Sequence, residues 1–100
     1  MADDQETVQV SDNKDKQRYE AYVGPVLAAY AAYEIGPGGI VFLHTKTEPA
    51  FEGRGIASHL AEAALDDARR RGLRVTPQCP FFASYIDRHS AYADLVDRST

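Results

Sequence analysis

Gly53-Arg54-Gly55-Ile56-Ala57, with Pro49 just ahead and an amphipathic run from Ile56 to Arg71 behind, is the stretch of this chain with the clearest capacity for chemistry. A glycine turn that opens a helix leaves backbone N–H groups without partners, and those donors, with the helix dipole, suit an anionic group such as a phosphate. No acidic side chain occupies the first turn beyond Gly55, the pattern expected where an external anion is to sit. An ordinary strand-to-helix turn is the alternative. Spacing excludes the commoner phosphate motifs. A P-loop needs Gly, four residues, then Gly-Lys-Ser/Thr, and a dinucleotide fingerprint needs three spaced glycines after a buried strand with an acidic residue about 20 further on. Neither is present.

The elements that position this loop follow from periodicity and turn chemistry. Thr7 to Ser11 alternates as a first strand, Asp12-Asn13-Lys14 offers a turn, and Arg18 to Val23 reads as a second strand. After Gly24-Pro25, the apolar and aromatic run Val26 to Ile35 reads as a third strand, although its alanines would tolerate a helix. Gly36-Pro37-Gly38-Gly39 forces a turn, and Ile40 to Thr47 is β-rich. Behind the loop, Ile56, Leu60, Ala64 and Ala68, flanked by Ala57, Ala61 and Leu65, share one helical face, while His59, Glu62, Asp66 and Arg70 share the other. Gly72 ends that helix. Asp66 with Arg70 and Asp67 with Arg71 are expected i,i+4 pairs. Leu73 to Thr76 is expected as a fifth strand, parallel to the fourth across a β-α-β crossover. Ala91 to Val96 reads as a short terminal helical turn.

Three blocks in this order carry a family resemblance: Phe42-Leu43-His44-Thr45, then Thr47 to Ala57, then Pro77-Gln78-Cys79-Pro80-Phe81-Phe82 followed by Tyr85-Ile86. The chain resembles the GNAT superfamily of coenzyme A-dependent N-acetyltransferases, in particular its small single-domain subfamily, from about Val8 to Val96. The family's pyrophosphate loop is usually Gln/Arg, two residues, Gly, one residue, then Gly or Ala. Gly55 and Ala57 match its last two places, and Glu52 stands where Gln or Arg is usual. The resemblance implies an α+β fold, a twisted mostly antiparallel sheet with a central helix in a β-α-β crossover and a short C-terminal helix. It also implies acetyl-CoA as cosubstrate, gripped by Phe51, Gly53, Arg54, Gly55, Ile56, Ala57 and Ser58. Main chain around Thr45 and Thr47 would bind the pantetheine arm between splayed fourth and fifth strands and polarise the thioester carbonyl. Acetyl would pass to an amine, on a protein side chain or a small molecule, by direct attack in a ternary complex. The chain is too short for the N-terminal helices of larger relatives, so an open acceptor site is expected.

Four residues are candidates for the chemistry. Pro80 suits the first position of a helix, which makes Cys79 its N-cap; helix donors near the sulfur would favour a thiolate. Acyl relay or contact with the thioester is the functional reading of Cys79, and a small buried hydrophobe is the other. Histidine as a residue type suits general-base work near neutrality, so His44 is expected to accept the amine's proton if strand alternation turns it to the gap, with a loop-orienting hydrogen bond as the alternative. Glu48 is a second base candidate, with an ordinary exposed glutamate beside a proline as its other reading. Tyr85 falls within about a residue of where the family places a tyrosine that protonates departing CoA; core or surface packing is its other reading.

Composition bounds the remainder. One hundred residues with 44% hydrophobic content supply one core and one domain, taken as residues 7–98 after a flexible N-terminus at 1–6. No apolar run approaches the roughly 20 residues of a membrane span. The start lacks a secretory signal and the single cysteine allows no internal disulfide, which fits a reducing cytoplasm. Net charge is −4, and Arg69-Arg70-Arg71 reads as a helix C-terminal charge complement rather than a nucleic-acid patch. His44, His59, His89 and Cys79 have no zinc spacing, so no metal is expected. Tyr19, Tyr22, Tyr30 and Tyr33 are expected to pack the two faces of the meander. Two rival functions remain from the sequence: a non-catalytic CoA or acyl-CoA binding module, and an interaction domain that keeps the fold. Oligomeric state leaves no signature.

Overall fold

The computed structural model describes residues 7–96. The expected flexible segment 1–6 and the last two residues of the expected domain lie outside the described residues. Period-two patterning forms β1 (Val8–Asn13), β2 (Arg18–Val23), β3 (Val26–Gly36) and β4 (Gly39–Thr47), paired antiparallel in chain order, and β5 (Val75–Pro77) runs parallel to β4 at the sheet edge. Between β4 and β5 runs α1 (Ile56–Arg70); after β5 come α2 (Pro80–Arg88) and a 3-10 segment, Ser90–Leu95. The fold is α+β, a mostly antiparallel five-stranded sheet with a β-α-β crossover.

Both helices cover one face of the sheet. The stripe Ile56, Leu60, Ala61, Ala64, Leu65 and Ala68 is fully buried, and the small alanines bring α1 close to Ala21, Ala29 and Ala31 of the strands. Phe42 is the hub: its ring stacks on Phe82 of α2 at 4.1 Å and sits 6.2 Å from Tyr19, whose hydroxyl reaches Asp67 of α1. Tyr19 and Tyr33 belong to this covered face, whereas Tyr22 and Tyr30 stand half-buried on the other.

Several boundaries differ from expectation for identifiable reasons. β1 extends to Asn13 instead of ending at Ser11, because Asp12 accepts a 2.5 Å hydrogen bond from Tyr33 and Asn13 donates to Glu20. The turn falls later, with Gln17 at φ 54. β5 begins at Val75, since Leu73 is used to stop α1: Gly72 (φ 70) donates to Arg69 O and Leu73 to Ala68 O, the two bonds of a Schellman stop. The expected Asp66–Arg70 pair does not form. Arg70 pairs with Asp67, which also binds Arg71 at 3.3 Å, and Asp66 accepts from the Tyr92 hydroxyl at 2.8 Å. Arg69, read as a dipole complement, also holds both Asp94 carboxylate oxygens and Ala91 O, tying the C-terminal segment to α1.

One irregularity bears on the site. The β3–β4 ladder pairs Ala32 with His44 but Tyr33 with Phe42, so Leu43 is an extra residue on β4. A one-residue slip reverses the facing of every later side chain.

Candidate active site

β5 stops at Pro77 opposite Phe42, and Cys79 N–H closes the fork by donating to Phe42 O at 2.9 Å. From Leu43 to Thr47, β4 has β3 on one side and, among the described residues, no strand on the other. Glu48 N–H bonds to Ala28 O at 2.8 Å. Antiparallel residues alternate between bonding their neighbour and pointing away, so Lys46 and His44 bond β3, and the peptide groups of Thr45 and Thr47 face the gap.

The bulge sorts the side chains of this half-strand. Thr45 and Thr47 turn to the helix side, where Thr45 Oγ1 lies 3.2 Å from Cys79 Sγ and Thr47 lines a cleft of about 370 Å³. His44 and Lys46 turn to the uncovered face, where the His44 ring meets Tyr30 edge-on with centroids 5.6 Å apart. His44 therefore does not enter the cleft with the cofactor loop. It lies on the opposite face of the same half-strand, against Tyr30.

Thr47, Phe51, Glu52, Gly53, Gly55, Ile56, Ala57, Ser58 and Phe81 form the cleft walls. Pro49–Phe51 makes a single 3-10 turn, and Gly53 (φ 81) and Gly55 (φ 76) then take left-handed conformations that deliver the chain into α1. A Cβ on either glycine would meet nothing within 4 Å, so the loop surface is open. Gly55 is the N-cap and supplies no side-chain cap, no acid lies in the first turn, and the first helical bond runs from His59 N–H to Gly55 O. The amides of Ile56, Ala57 and Ser58 consequently have no carbonyl within the helix to bind. Such a constellation binds anions. Of the remaining expected cofactor contacts, Arg54 lies with its guanidinium 5.3 Å over the Phe51 ring, and Thr45 sits deeper, on Cys79.

Cys79 is the N-cap of α2 and is buried, but its sulfur does not cap that helix; its partner is the Thr45 hydroxyl. Helix donors at the sulfur, the basis for expecting a thiolate, are thus replaced by a hydroxyl. Glu48 stands at the end of β4, fixed by its main chain, which also accepts from Phe51 N–H. Tyr85 is 5% exposed, stacks on His89 at 4.0 Å and is absent from the cleft walls. Burial first, then the charges of Glu62 and Asp66, push its hydroxyl above the usual tyrosine value, which makes it a weaker proton donor. Packing describes its environment better than proton delivery does.

Sequence reasoning passed over Phe81 as a cleft residue, although adjacent Phe81 and Phe82 in the first turn of α2 cannot share one face, and Phe82 takes the core. It also passed over Tyr30 as the partner of His44. Among the described residues, no group of three or more His, Cys, Asp or Glu could hold a metal ion, and no helix is long and apolar enough to cross a membrane.

Comparison with known proteins meets this geometry from outside. The sequence model of the GCN5-related N-acetyl-transferase family matches residues 18–95. Protein NATD1 of Xenopus tropicalis is 37% identical over 59 residues, covering 58% of this chain and 54% of that protein. The Homo sapiens protein of the same name is 37% identical over 59 residues, covering 58% and 52%. The chain thus spans about half the length of the curated relatives it matches. A GCN5-like protein from Staphylococcus aureus, solved by NMR, superposes with a TM-score of 0.68 at 17% identity, covering 92% of this chain and 90% of that one, which speaks to fold.

Proposed function

The chain belongs to the GCN5-related N-acetyltransferase family, and from that premise we propose that it transfers acetyl from acetyl-CoA to an amine by direct attack. The observation that carries the reading is the join of two features: an uncapped helix start with open αL glycines, and a strand fork whose free peptide groups lead away from it. A diphosphate fits the amides of Ile56, Ala57 and Ser58, with Gly53 and Gly55 allowing close approach. Glu52 on the cleft wall opposes an anion; its exposed position leaves the carboxylate free to turn to water. Phe51 and Phe81 offer apolar flanks to the pantetheine arm.

Acetyl-CoA supplies an activated carbonyl. The peptide N–H groups of Thr45 or Thr47, prepositioned on a strand, serve as donors where negative charge develops on its oxygen. As the amine nitrogen bonds the carbonyl carbon, the C–S bond breaks, its electron pair leaves on CoA sulfur, and the amine proton passes to a base. Since the cofactor and the Phe42–Phe82 core occupy the helix side, the amine approaches from the uncovered face, where His44 is available as that base. Cys79, buried with its sulfur on the Thr45 hydroxyl, need not be acylated in this route. Free-thiol release from acetyl-CoA over a panel of amines and peptides tests the reading. Turnover on at least one acceptor supports it; CoA binding without turnover on any of them favours the non-catalytic module, and no CoA binding favours an interaction domain.

A further inference from the structure

Glu20 is the one buried charged residue of the described core, 4% exposed on a sheet face that no helix among the described residues covers, and the acetyl-transfer reading leaves it unused. Burying a carboxylate is costly unless it is paired and hydrogen-bonded. Here it receives Arg18 Nε at 2.7 Å, Asn13 Nδ2 at 3.1 Å and the Tyr22 hydroxyl at 3.3 Å. Burial alone would raise its pKa, and these partners together lower it below the usual carboxylate value. The anion is therefore a fixed post. Arg18, held on it, lays its guanidinium 4.5 Å over the Tyr30 ring. Tyr30 in turn meets His44, with Oη 3.4 Å from Nε2 and the rings edge to face. Glu20, Arg18, Tyr30 and His44 thus form one side-chain row across β2, β3 and β4, ending two residues past the fork at Phe42. A sheet face needing only solubility has no use for a buried anion at the far end of such a row.

The geometry points to this row as a positioning device, with Tyr30 as the residue that orients His44 for the amine's proton; this rests on the acetyl-transfer reading above. Either atom of the Tyr30 Oη–His44 Nε2 pair can be the donor; in the assigned arrangement Nε2–H donates to the Tyr30 oxygen, which leaves the lone pair of Nδ1 unprotonated and available on the uncovered face. Which imidazole nitrogen carries the proton is set by the bond the other makes. The charged and titratable groups on this face are Arg18, Glu20 and Tyr22 on β2, Tyr30 and Glu34 on β3, and Lys46 beside His44 on β4. Arg18 and Glu20 neutralise one another. Tyr30 is a positioning residue here, because it touches His44 and not the substrate.

Two measurements on the full chain test this. Nitrogen-15 NMR of the imidazoles should find neutral His44 in the Nε2–H tautomer, and a mixture of tautomers in Tyr30→Phe, which keeps the ring and loses the oxygen. In the thiol-release assay Tyr30→Phe should lower kcat about tenfold with KM for acetyl-CoA unchanged, and His44→Gln should lower it by about a hundredfold and remove the acid limb of the pH profile. Glu20→Gln should resemble Tyr30→Phe in both. An unchanged tautomer in Tyr30→Phe overturns the positioning role, and a wild-type pH profile in His44→Gln overturns the destination of the row. Absence of turnover in the wild type counts against acetyl transfer itself, while the NMR result still decides whether Tyr30 orients His44.

Discussion

The two ends of α1 are built on opposite plans. At its C-terminal end every device for closing a helix is present: a Schellman stop at Gly72, Arg69 on Asp94, and an Asp67 carboxylate shared by Tyr19, Arg70 and Arg71. At its N-terminal end there is a glycine with no side-chain cap, no acid, and a cleft of about 370 Å³ against it. Ser, Asp or Asn at that N-cap would have added a side-chain cap worth roughly a few tenths of a kcal/mol over glycine. The fold omits that stabilisation at one end while spending several residues on the other. The contrast separates closure from opening: the satisfied end anchors α1 to the sheet, and the unsatisfied end leaves the N–H groups of Ile56, Ala57 and Ser58 without helix partners.

The contrast can be broken at either end. The largest effect belongs to Gly55→Glu, which places a carboxylate among the free amides; CoA affinity should fall by about a hundredfold, or about 2.7 kcal/mol, in a calorimetric titration. The open space around Gly55 limits the folding penalty to the left-handed backbone, about 1–2 kcal/mol, so the variant should remain folded by circular dichroism. Next comes Asp67→Asn, expected to cost about 1–2 kcal/mol in urea unfolding with CoA affinity unchanged. Its pH dependence has a definite sign. Burial raises the Asp67 pKa, but the bonds from Tyr19 and Arg71 and the charges of Arg70 and Arg71 outweigh it and hold it below the usual value. The stabilisation is therefore complete above about pH 3.9 and is lost as pH falls through the lowered value. Unfolding curves should lose this acid limb in Asp67→Asn. Tyr19 behaves oppositely: burial and the Asp67 bond raise its pKa, so its contribution is complete below about pH 10 and fades above it.

Smaller effects sharpen the picture at the second helix. Cys79 is another N-cap whose side chain leaves its own helix unsatisfied, yet its sulfur is engaged by Thr45. Direct attack requires no thiolate, so Cys79→Ala should keep kcat within about threefold, under 1 kcal/mol of barrier; a loss of several orders of magnitude would establish acyl relay instead. Smallest is Arg69→Ala. Its pair with Asp94 is solvent-exposed at 45% and 66%, so the unfolding midpoint should barely move, while amide exchange in Ser90–Leu95 becomes faster.

How far the sequence could be read follows from the range of each signal. The glycine loop, α1 and its apolar face were legible because a 3.6-residue period and two glycines are local facts. β2 was legible from end to end, and β3 was legible because Gly24-Pro25 and the Gly36 to Gly39 turn bracket it. The bulge at Leu43 was not, since nothing in Phe42-Leu43-His44-Thr45 announces an extra residue; strand alternation alone leaves the facing of His44 open, and the slip decides it. Partnerships across long separations were equally hidden: Thr45 with Cys79 at 34 residues, and Tyr19 with Asp67 at 48. Asp12-Asn13 looked like turn chemistry because Asp and Asn favour turns. Tertiary demand for their side chains, from Tyr33 and toward Glu20, kept them in the strand.

The central claim is that free amides at the start of α1 grip the diphosphate of coenzyme A. Titrating CoA into nitrogen-15-labelled protein and following backbone amide resonances tests it most directly. The account requires saturable shifts that are largest for Gly53 through Ser58, with the Gly72 end of the same helix unmoved. Saturation with the largest shifts elsewhere, or no shift at millimolar CoA, would contradict it.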